Sequence, residues 1–328
     1  MRRYIALALL LGASAARADV LLNEMTIQGS EWVELFNSGL VPVDVNGWTI
    51  RAGGSYEIAG TDAIPAGGYL VVEVPGDVLD DQGGFIELLD GVVGEDAVSY
   101  GQQGSAPLPP GDFGLRGGPA SLARAPDGSA LGVPPSPSPS TDGMFWTIDF
   151  SPTPGLANDA PVPALGTTVR INEVDPKPLG ADVAELYDPL AVPVDVTGWI
   201  LCDGDDIAVL AGVVPAGGFL ALPTGLDFDT NEVAYLFRDD GTRVDQLGFH
   251  LPPVRNAPFL DYCQCYARWP DGAGPDLGYD WFSSGGETTL FRLVCTHGAS
   301  NAFVESCATT SAPEITPGTW GHTKNLWR

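Results

Sequence analysis

The heptapeptide "PVDVNGW" at residues 42–48 returns as "PVDVTGW" at residues 193–199 in a chain of 328 residues. The match extends outward without gaps, so that "EWVELFNSGLVPVDVNGWTI" at 31–50 aligns with "DVAELYDPLAVPVDVTGWIL" at 182–201. A match that continues on both sides of a short motif is typical of an internal repeat. We therefore predict that the chain contains the same domain twice.

Four further pairs of segments match in the same order and give the bounds of the repeat. They are 20–25 with 169–174, 64–72 with 214–222, 122–128 with 266–272, and 153–158 with 296–301. These matches predict a first domain at 19–158 and a second domain at 169–302. The proline-containing segment 159–168 is predicted to be the linker, and 303–328 is a C-terminal tail outside the repeat.

The segments inside each repeat are short and have the composition of β-strands. In "EWVELFN" (31–37) large apolar residues are interleaved with acids, and "GYLVVEV" (68–74) is a β-branched run that begins with glycine. The 42 glycines and 29 prolines disfavour long helices and suit tight turns. We therefore predict an all-β protein of two tandem antiparallel β-sandwiches.

The heptapeptide predicts the structural anchors of each domain. Gly47 and Gly198 permit a backbone conformation that other residues disfavour, and Trp48 and Trp199 then enter the next strand as large core residues. An aromatic platform for a ligand is the alternative interpretation of the two tryptophans.

The first 18 residues have the pattern of a cleaved secretory signal peptide. A basic start at Arg2 and Arg3 precedes a short apolar run and a small-x-small ending at 16–18. This run is too short to span a bilayer, and no later segment approaches the roughly 20 apolar residues of a transmembrane helix. We expect a protein without a membrane span that is secreted or held at the cell surface, with the periplasm as an alternative.

The chain is strongly acidic, with a net charge of −27 and two lysines, Lys177 and Lys324. Nucleic-acid binding depends on Lys and Arg contacts to phosphate, so this composition argues against a nucleic-acid partner. Acidity of this kind keeps an extracellular protein soluble. Attraction of divalent cations or of basic partners is the alternative.

All five cysteines lie in the second half of the chain. In an oxidising compartment they predict a disulfide framework. The sequence has no C-x-x-C pair of the kind that is typical of zinc sites. The pair that we predict is Cys295 with Cys307, because these two residues flank the end of the second repeat. The remaining disulfide candidates are Cys202, Cys263 and Cys265.

The sequence contains no recognisable catalytic motif, since it has neither a G-x-S-x-G elbow nor a phosphate-binding loop. One repeated carboxylate pair is notable: Glu24 with Glu34, and again Glu173 with Glu185, on the predicted first two strands of each domain. Acid–base catalysis by such a pair requires a substrate cleft between the carboxyls. The repetition of the pair favours a structural role instead, and we predict that the protein is not an enzyme.

Two clusters of acids on predicted turns are candidates for a calcium site, because Ca²⁺ prefers oxygen ligands. Neither cluster has the spacing of an EF-hand, and Asp-Gly turns are the alternative explanation. The candidate residues are Asp203, Asp205, Asp206, Asp239 and Asp240.

The motifs N-E-(M/V), E-W-V-E-L-F-N, D-V-x-G-W-x-I, P-A-G-G-Y-L-V-V and S-P-T-P-G-L-A-N together resemble those of bacterial lamin-tail domains. The first repeat matches over nearly its full length, whereas the second departs at "GADVA" (180–184) and "THGASN" (296–301). The resemblance implies immunoglobulin-like β-sandwiches in an exported protein. It also implies a non-catalytic binding, adhesion or tethering module that contacts an unknown protein or surface polymer.

Two other functions stay open: an accessory or loop-borne hydrolase activity, and a purely structural role in the envelope. The tail ends in "TPGTWGHTKNLWR" (316–328), which resembles the short terminal segments of some exported bacterial proteins. Such a segment could act as a sorting or docking peptide, and a strand laid against the second domain is the alternative.

Overall fold

A computed structural model gives the architecture of the chain in two compact units, Met1–Val162 and Pro163–Arg328. The predicted signal peptide (1–18) and the whole of the predicted tail (303–328) lie outside the residues that it describes. The described residues are 20–76, 78–101, 106–110, 120–129, 145–175, 182–203, 206–226, 228, 232–249, 264–268, 270–272, 290–294 and 296–301.

The described residues form β-strands and no α-helix. Among them there is also no helix with the length and apolar character to cross a membrane. In unit 1 the strands are β1 (Val20–Thr26), β2 (Trp32–Asn37), β3 (Thr49–Arg51), β4 (Ser55–Glu57), β5 (Tyr69–Glu73), β6 (Gly83–Asp90), β7 (Val93–Gly101), β8 (Ser121–Arg124) and β9 (Trp146–Asp149).

Unit 2 contains eleven named strands. They are β10 (Arg170–Asp175), β11 (Val183–Tyr187), β12 (Val194–Asp195), β13 (Ile200–Cys202), β14 (Ile207–Val209), β15 (Val213–Val214), β16 (Phe219–Pro223), β17 (Glu232–Phe237), β18 (Arg243–Phe249), β19 (Gln264–Arg268) and β20 (Leu290–Val294).

Unit 1 is built from two antiparallel sheets. The five-stranded sheet has the order β5-β2-β1-β8-β9, and the four-stranded sheet has the order β4-β3-β6-β7. Buried residues of both sheets, such as Leu22 and Leu35 of the first and Ile50 and Ile86 of the second, belong to one core cluster. Alternate residues of a strand point to opposite faces, so each sheet turns one apolar face to this core.

Unit 2 repeats this topology strand for strand. Its five-stranded sheet has the order β16-β11-β10-β19-β20 and its four-stranded sheet the order β14-β13-β17-β18, with an additional short pair β12-β15. Its strands also pair antiparallel and enclose a second core cluster. The all-β, antiparallel part of the predicted fold class is confirmed, and the arrangement is consistent with β-sandwiches.

The repeated heptapeptide forms the same turn in both units. Gly47 has a φ of 84° and Gly198 a φ of 86°, in the left-handed region where a Cβ atom is disfavoured. The tryptophan after each glycine lies in the core, with Trp48 5 % and Trp199 6 % exposed. Before the turn, Asp44 accepts the N–H of Asn46 at 3.0 Å, and the same type of bond repeats in unit 2.

A buried ion pair connects the two sheets of each unit. In unit 1, Arg124 of β8 donates to Asp96 of β7 over 2.7 Å, and its guanidinium lies over the ring of Trp146. In unit 2, Arg268 of β19 donates to Asp245 of β18 over 3.2 Å. Because all four charged groups are buried, each pair joins its sheets where solvent does not screen the attraction.

Candidate functional site

The repeated glutamates lie side by side on the first two strands of each unit. Glu24 of β1 is the register partner of Glu34 of β2, and Glu173 of β10 is the register partner of Glu185 of β11. All four side chains are at most 1 % exposed. We call these residues the anchor glutamates, because each one binds the segment that closes its unit.

In unit 1 that segment is the first closing turn, residues 153–158. Glu24 accepts hydrogen bonds from the Ser121 hydroxyl at 2.5 Å and from the N–H of Thr153 at 3.2 Å. Glu34 accepts the N–H of Gly155 at 2.6 Å and the side-chain amide of Asn23 at 3.0 Å. Both carboxylates of unit 1 therefore hold backbone N–H groups of the same turn.

The end of the first closing turn is fixed by Asn158. Its side-chain amide donates to the backbone oxygens of Asn23 at 3.1 Å and of Arg124 at 2.9 Å. Its N–H donates to Asp127 at 3.1 Å, and Asp127 also accepts the hydroxyl of Tyr69 at 2.6 Å. The turn is thus attached to β1, to β8 and to the loop that follows β8.

Unit 2 contains the same anchor at its own closing turn, residues 296–301. Glu173 accepts the N–H and the hydroxyl of Thr296, both at 3.1 Å, and Glu185 accepts the N–H of Gly298 at 2.5 Å. Asn301 repeats the role of Asn158 by donating to the backbone oxygen of Arg268 at 3.0 Å. The matching segments 153–158 and 296–301 therefore have matching contacts.

Burial raises the pKa values of the anchor glutamates above the ordinary value for glutamate. It raises the pKa of Glu24 and Glu34 to about 7, against the ordinary value of 4.5, although hydrogen bonds from Ser121 and Asn23 oppose the shift. Burial also raises the pKa of Glu173 to about 7 and raises that of Glu185. Groups so enclosed and already bonded to backbone amides are suited to holding the fold together.

The two units differ beside the anchor. Where the first closing turn has Pro154, the second has His297, and its Nε2 lies 3.3 Å from Oε1 of Glu173 and 3.1 Å from Oδ2 of Asp175. The sulfur of Cys265 lies 4.0 Å from the same nitrogen. Among the described residues, Glu173, Cys265 and His297 are the one group of three with ligand atoms close enough to share a metal ion.

The cysteines of the predicted disulfide framework are only partly within the described residues. Cys265 is disulfide-bonded, so its sulfur carries no thiolate charge for a metal ion. Cys202 is a buried thiol of β13. Cys263, Cys295 and Cys307 lie outside the described residues, and so does the predicted pair Cys295–Cys307.

The predicted calcium candidates are found on two turns. Asp203 accepts the N–H of Asp206 at 2.8 Å, and Asp240 accepts the N–H of Thr242 at 2.9 Å. Asp239 follows the β17 strand on the second of these turns, and Asp205 lies outside the described residues. A hydrogen bond in which an Asp carboxylate accepts the backbone N–H two or three residues further along the chain is typical of ordinary turns.

Comparisons of the chain with protein-family models, with curated proteins and with solved structures found no match. The site is therefore interpreted from its own geometry. Sequence reasoning identified the glutamate pairs but missed Asp175 and His297 as their neighbours. The signal was present in the alignment of "TPGLAN" with "THGASN", where histidine replaces proline beside the anchor.

Proposed function

We propose that this protein is an exported, non-catalytic binding or tethering module, built from two immunoglobulin-like domains of the lamin-tail type. Its partner is a protein or polymer of the cell surface or extracellular space. The all-β architecture with two topologically equivalent units supports the proposed domain type. The pattern of residues 1–18 supports export.

The observation that carries the binding role is an apolar loop after the second strand of each unit. In unit 1, Leu40 is 95 % and Val41 58 % exposed; in unit 2, Leu190 is 42 % and Val192 67 % exposed. Single exposed apolar side chains are common on proteins, but here a pair stands in the same loop of both units. We infer that each of these two loops contacts the partner.

The anchor glutamates support the non-catalytic part of the proposal. A pair of carboxyls that acts on a substrate must face a cleft, whereas Glu24 and Glu34 are buried beneath the first closing turn and bonded to its amides. The same arrangement in unit 2 fits a requirement of the fold. A hydrolase that used these residues would have to open the turn first.

Burial of arginine supports a partner other than nucleic acid. Arg124, Arg243 and Arg268 are at most 1 % exposed, so their guanidinium groups are not available to phosphate. The remaining charge of the chain is predominantly negative. Phosphate contacts supply most non-specific affinity for nucleic acid, and they require exposed basic side chains.

The test measures saturable binding of the mature chain to envelope material from the organism that makes it. A variant with Leu40→Asp, Val41→Asp, Leu190→Asp and Val192→Asp is expected to bind at least about tenfold more weakly, as for loss of an interface hot spot. A variant of one loop alone is expected to bind with an affinity between that of the wild type and that of the four-residue variant, because each loop contributes its own apolar contact. Circular dichroism checks that the fold is retained.

The matched control is Val92→Asp, at a turn between β6 and β7 where the side chain is 97 % exposed. This control should bind like the wild type. Unchanged binding by the four-residue variant would refute the assigned surface. Turnover of a glycoside, ester or peptide that Glu24→Gln abolishes without loss of stability would instead establish the hydrolase, and self-association without any other partner would establish the structural role.

A further inference from the structure

His297 reaches from the second closing turn to two buried carboxylates of β10. Its Nε2 lies 3.3 Å from Oε1 of Glu173 and 3.1 Å from Oδ2 of Asp175. Glu173 is 1 % and Asp175 3 % exposed, whereas 31 % of the His297 side chain is exposed. The ring can therefore exchange protons with solvent while both of its partners lie in the interior.

The strength of this contact depends on the charge of the ring. Nε2 carries at most one hydrogen, which points to only one of the two carboxylate oxygens at a time. A protonated imidazole nevertheless attracts both carboxylates, and its charge offsets the cost of burying two anions. A neutral imidazole has no net charge and offers at most the single hydrogen bond. Loss of the ring proton therefore weakens the hold of the second closing turn on β10.

The titratable groups that act on His297 come from three strands. The first strand, β10, supplies Glu173 and Asp175. Burial raises the pKa of Glu185 on β11, and the charge of His297 acts against that shift. The third strand, β19, supplies the sulfur of Cys265 at 4.0 Å from Nε2, and this sulfur is disulfide-bonded and carries no charge. A protonated ring thus acts on three acidic side chains.

We propose that His297 is a proton-dependent clasp, which fastens the second closing turn to β10 in mildly acidic conditions and loosens it as the pH rises above neutrality. Histidine is the side chain whose charge ordinarily changes between about pH 5 and 8. The second closing turn ends at Asn301, directly before the tail predicted at 303–328. The clasp therefore sets how firmly the chain is held where the tail begins.

The sign of the pH effect follows from the protons that the folded turn binds. Burial raises the pKa of Glu173 to about 7, as it does that of Glu24, so both units lose the stability of this protonation as the pH rises from 4.5 to 7. The attraction of the charged ring of His297 is a further contribution. It is complete well below the ordinary histidine pKa of about 6.5 and is lost as the ring gives up its proton. The second closing turn should therefore loosen more than the first.

Unit 1 is an internal control for this assignment. At the positions of Asp175 and His297 it has Thr26 and Pro154, neither of which titrates. Thr26 instead donates its hydroxyl to the backbone oxygen of Ser30 at 2.8 Å. The first closing turn is still bonded to its anchor glutamates. The clasp is thus an addition to the anchor and not a part that the fold requires.

The test is amide hydrogen exchange of the oxidised full chain, measured by NMR at about pH 5.5 and about pH 8 and corrected for the intrinsic exchange rate. On raising the pH, protection of the Thr296 and Gly298 amides is expected to fall at least about tenfold more than protection of the Thr153 and Gly155 amides. Tenfold is the factor for one pKa unit of difference between two protonation states. The four amides donate equivalent bonds, so the first closing turn is a control within the same molecule.

Two variants test the assigned side chains. His297→Pro installs the residue of unit 1 and should abolish the extra loss of protection, so that the two closing turns respond to pH alike. Asp175→Asn removes one carboxylate charge with little change of shape and should reduce the extra loss. The matched control His322→Ala removes a histidine from the tail and should leave the wild-type pattern unchanged.

An NMR titration of the wild type provides a test that does not depend on a variant folding. The imidazole signals of His297 and the amide signals of Thr296 and Gly298 should change over the same pH interval. Amide signals that stay fixed while the ring titrates, or equal loss of protection in the two closing turns, would overturn the clasp. Either result would leave the proposed binding role of the apolar loops unaffected, because that role is tested by variants of the loops themselves.

Discussion

The two closing turns use the same anchor but differ in what stands beside it. Thr153 and Thr296 donate equivalent N–H bonds to buried glutamates, whereas Pro154 in one turn is replaced by His297 in the other. Features present in both units are those that the fold needs, since each unit has to close its own sheets. A feature present in one unit only is available for a function of its own.

Comparison of the two units also shows which buried charged groups are common to both. The buried pairs Arg124–Asp96 and Arg268–Asp245 occur in both units, and each joins the five-stranded sheet to the four-stranded one. The aspartate of each pair also accepts a backbone N–H of the first strand, from Leu22 at 2.9 Å in unit 1. We therefore assign these pairs to the common framework of the units.

The largest expected effect comes from breaking this shared ion pair. Arg124→Leu and Arg268→Leu should each lower the free energy of unfolding by about 3–5 kcal/mol, because each removes a buried guanidinium that is bonded to a buried aspartate. Urea unfolding followed by tryptophan fluorescence measures the change. If one replacement costs several kcal/mol and the other costs nothing, the two frameworks are not equivalent.

A matched control for both variants is Arg51→Leu. Arg51 pairs with Glu87 on the four-stranded sheet of unit 1, but half of its side chain is exposed. Exposed pairs contribute about 0–1 kcal/mol, so this variant should unfold nearly as the wild type does. The contrast isolates burial of the pair, and not the loss of an arginine, as the cause of destabilisation.

The next prediction concerns how the free energy of unfolding of unit 1 depends on pH. Glu24 and Glu34 have folded pKa values of about 7 and ordinary values of 4.5, so between these pH values the unfolded chain has lost protons that the folded unit keeps. The stability contributed by this protonation is complete below pH 4.5 and is lost as the pH rises towards 7. We expect the free energy of unfolding to fall by up to about 1.4 kcal/mol per pH unit for each carboxyl.

The double variant Glu24→Gln, Glu34→Gln removes both titrations of unit 1 and should flatten this decline. Both oxygens of a protonated carboxyl can still accept a hydrogen bond, whereas the amide nitrogen of Gln cannot, so the variant should be less stable than the wild type at pH 5. The difference should shrink by pH 8. A wild-type stability that is constant from pH 5 to pH 8 would contradict the raised pKa values.

The smallest effect concerns the heptapeptide itself. Gly47→Ala and Gly198→Ala should each cost about 1–2 kcal/mol, because both residues have left-handed φ angles that a Cβ atom disfavours. Gly54→Ala is the control, since an added Cβ there meets no atom within 4 Å, as at Gly47, and its φ is not left-handed; at Gly198 the added Cβ makes only an ordinary 3.5 Å contact with Asp239. Equal losses at positions 47 and 198 would show that the repeated sequence serves the same turn twice.

Much of the framework was predictable from the sequence, because repeats and turns are local patterns. The heptapeptides indicated where a strand follows a glycine turn, and the paired glutamates were placed on the first two strands, where the structure has Glu24 and Glu34 on β1 and β2. Composition predicted an all-β chain for the physical reason that glycine and proline interrupt helices.

The partners of the buried charges were not predictable, because they are distant in sequence. Arg124 and Arg268 lie on the five-stranded sheets, and their aspartates lie on strands of the other sheet. In the same way, Asp175 and His297 come from a first strand and a last turn of unit 2, and only the fold brings them together. A single sequence contains no pattern that joins such positions.

The bond from Thr153 to Glu24 spans 129 residues, which has a consequence for the order in which unit 1 folds. During synthesis β1 is made first and the closing turn last. The carboxyl of Glu24 on β1 can therefore bond to the amide of Thr153 only after nearly the whole unit has been synthesised. Contacts of such separation slow folding, because a long loop must be ordered before they form. We therefore expect the first closing turn, residues 153–158, to be the last part of unit 1 to take its folded position.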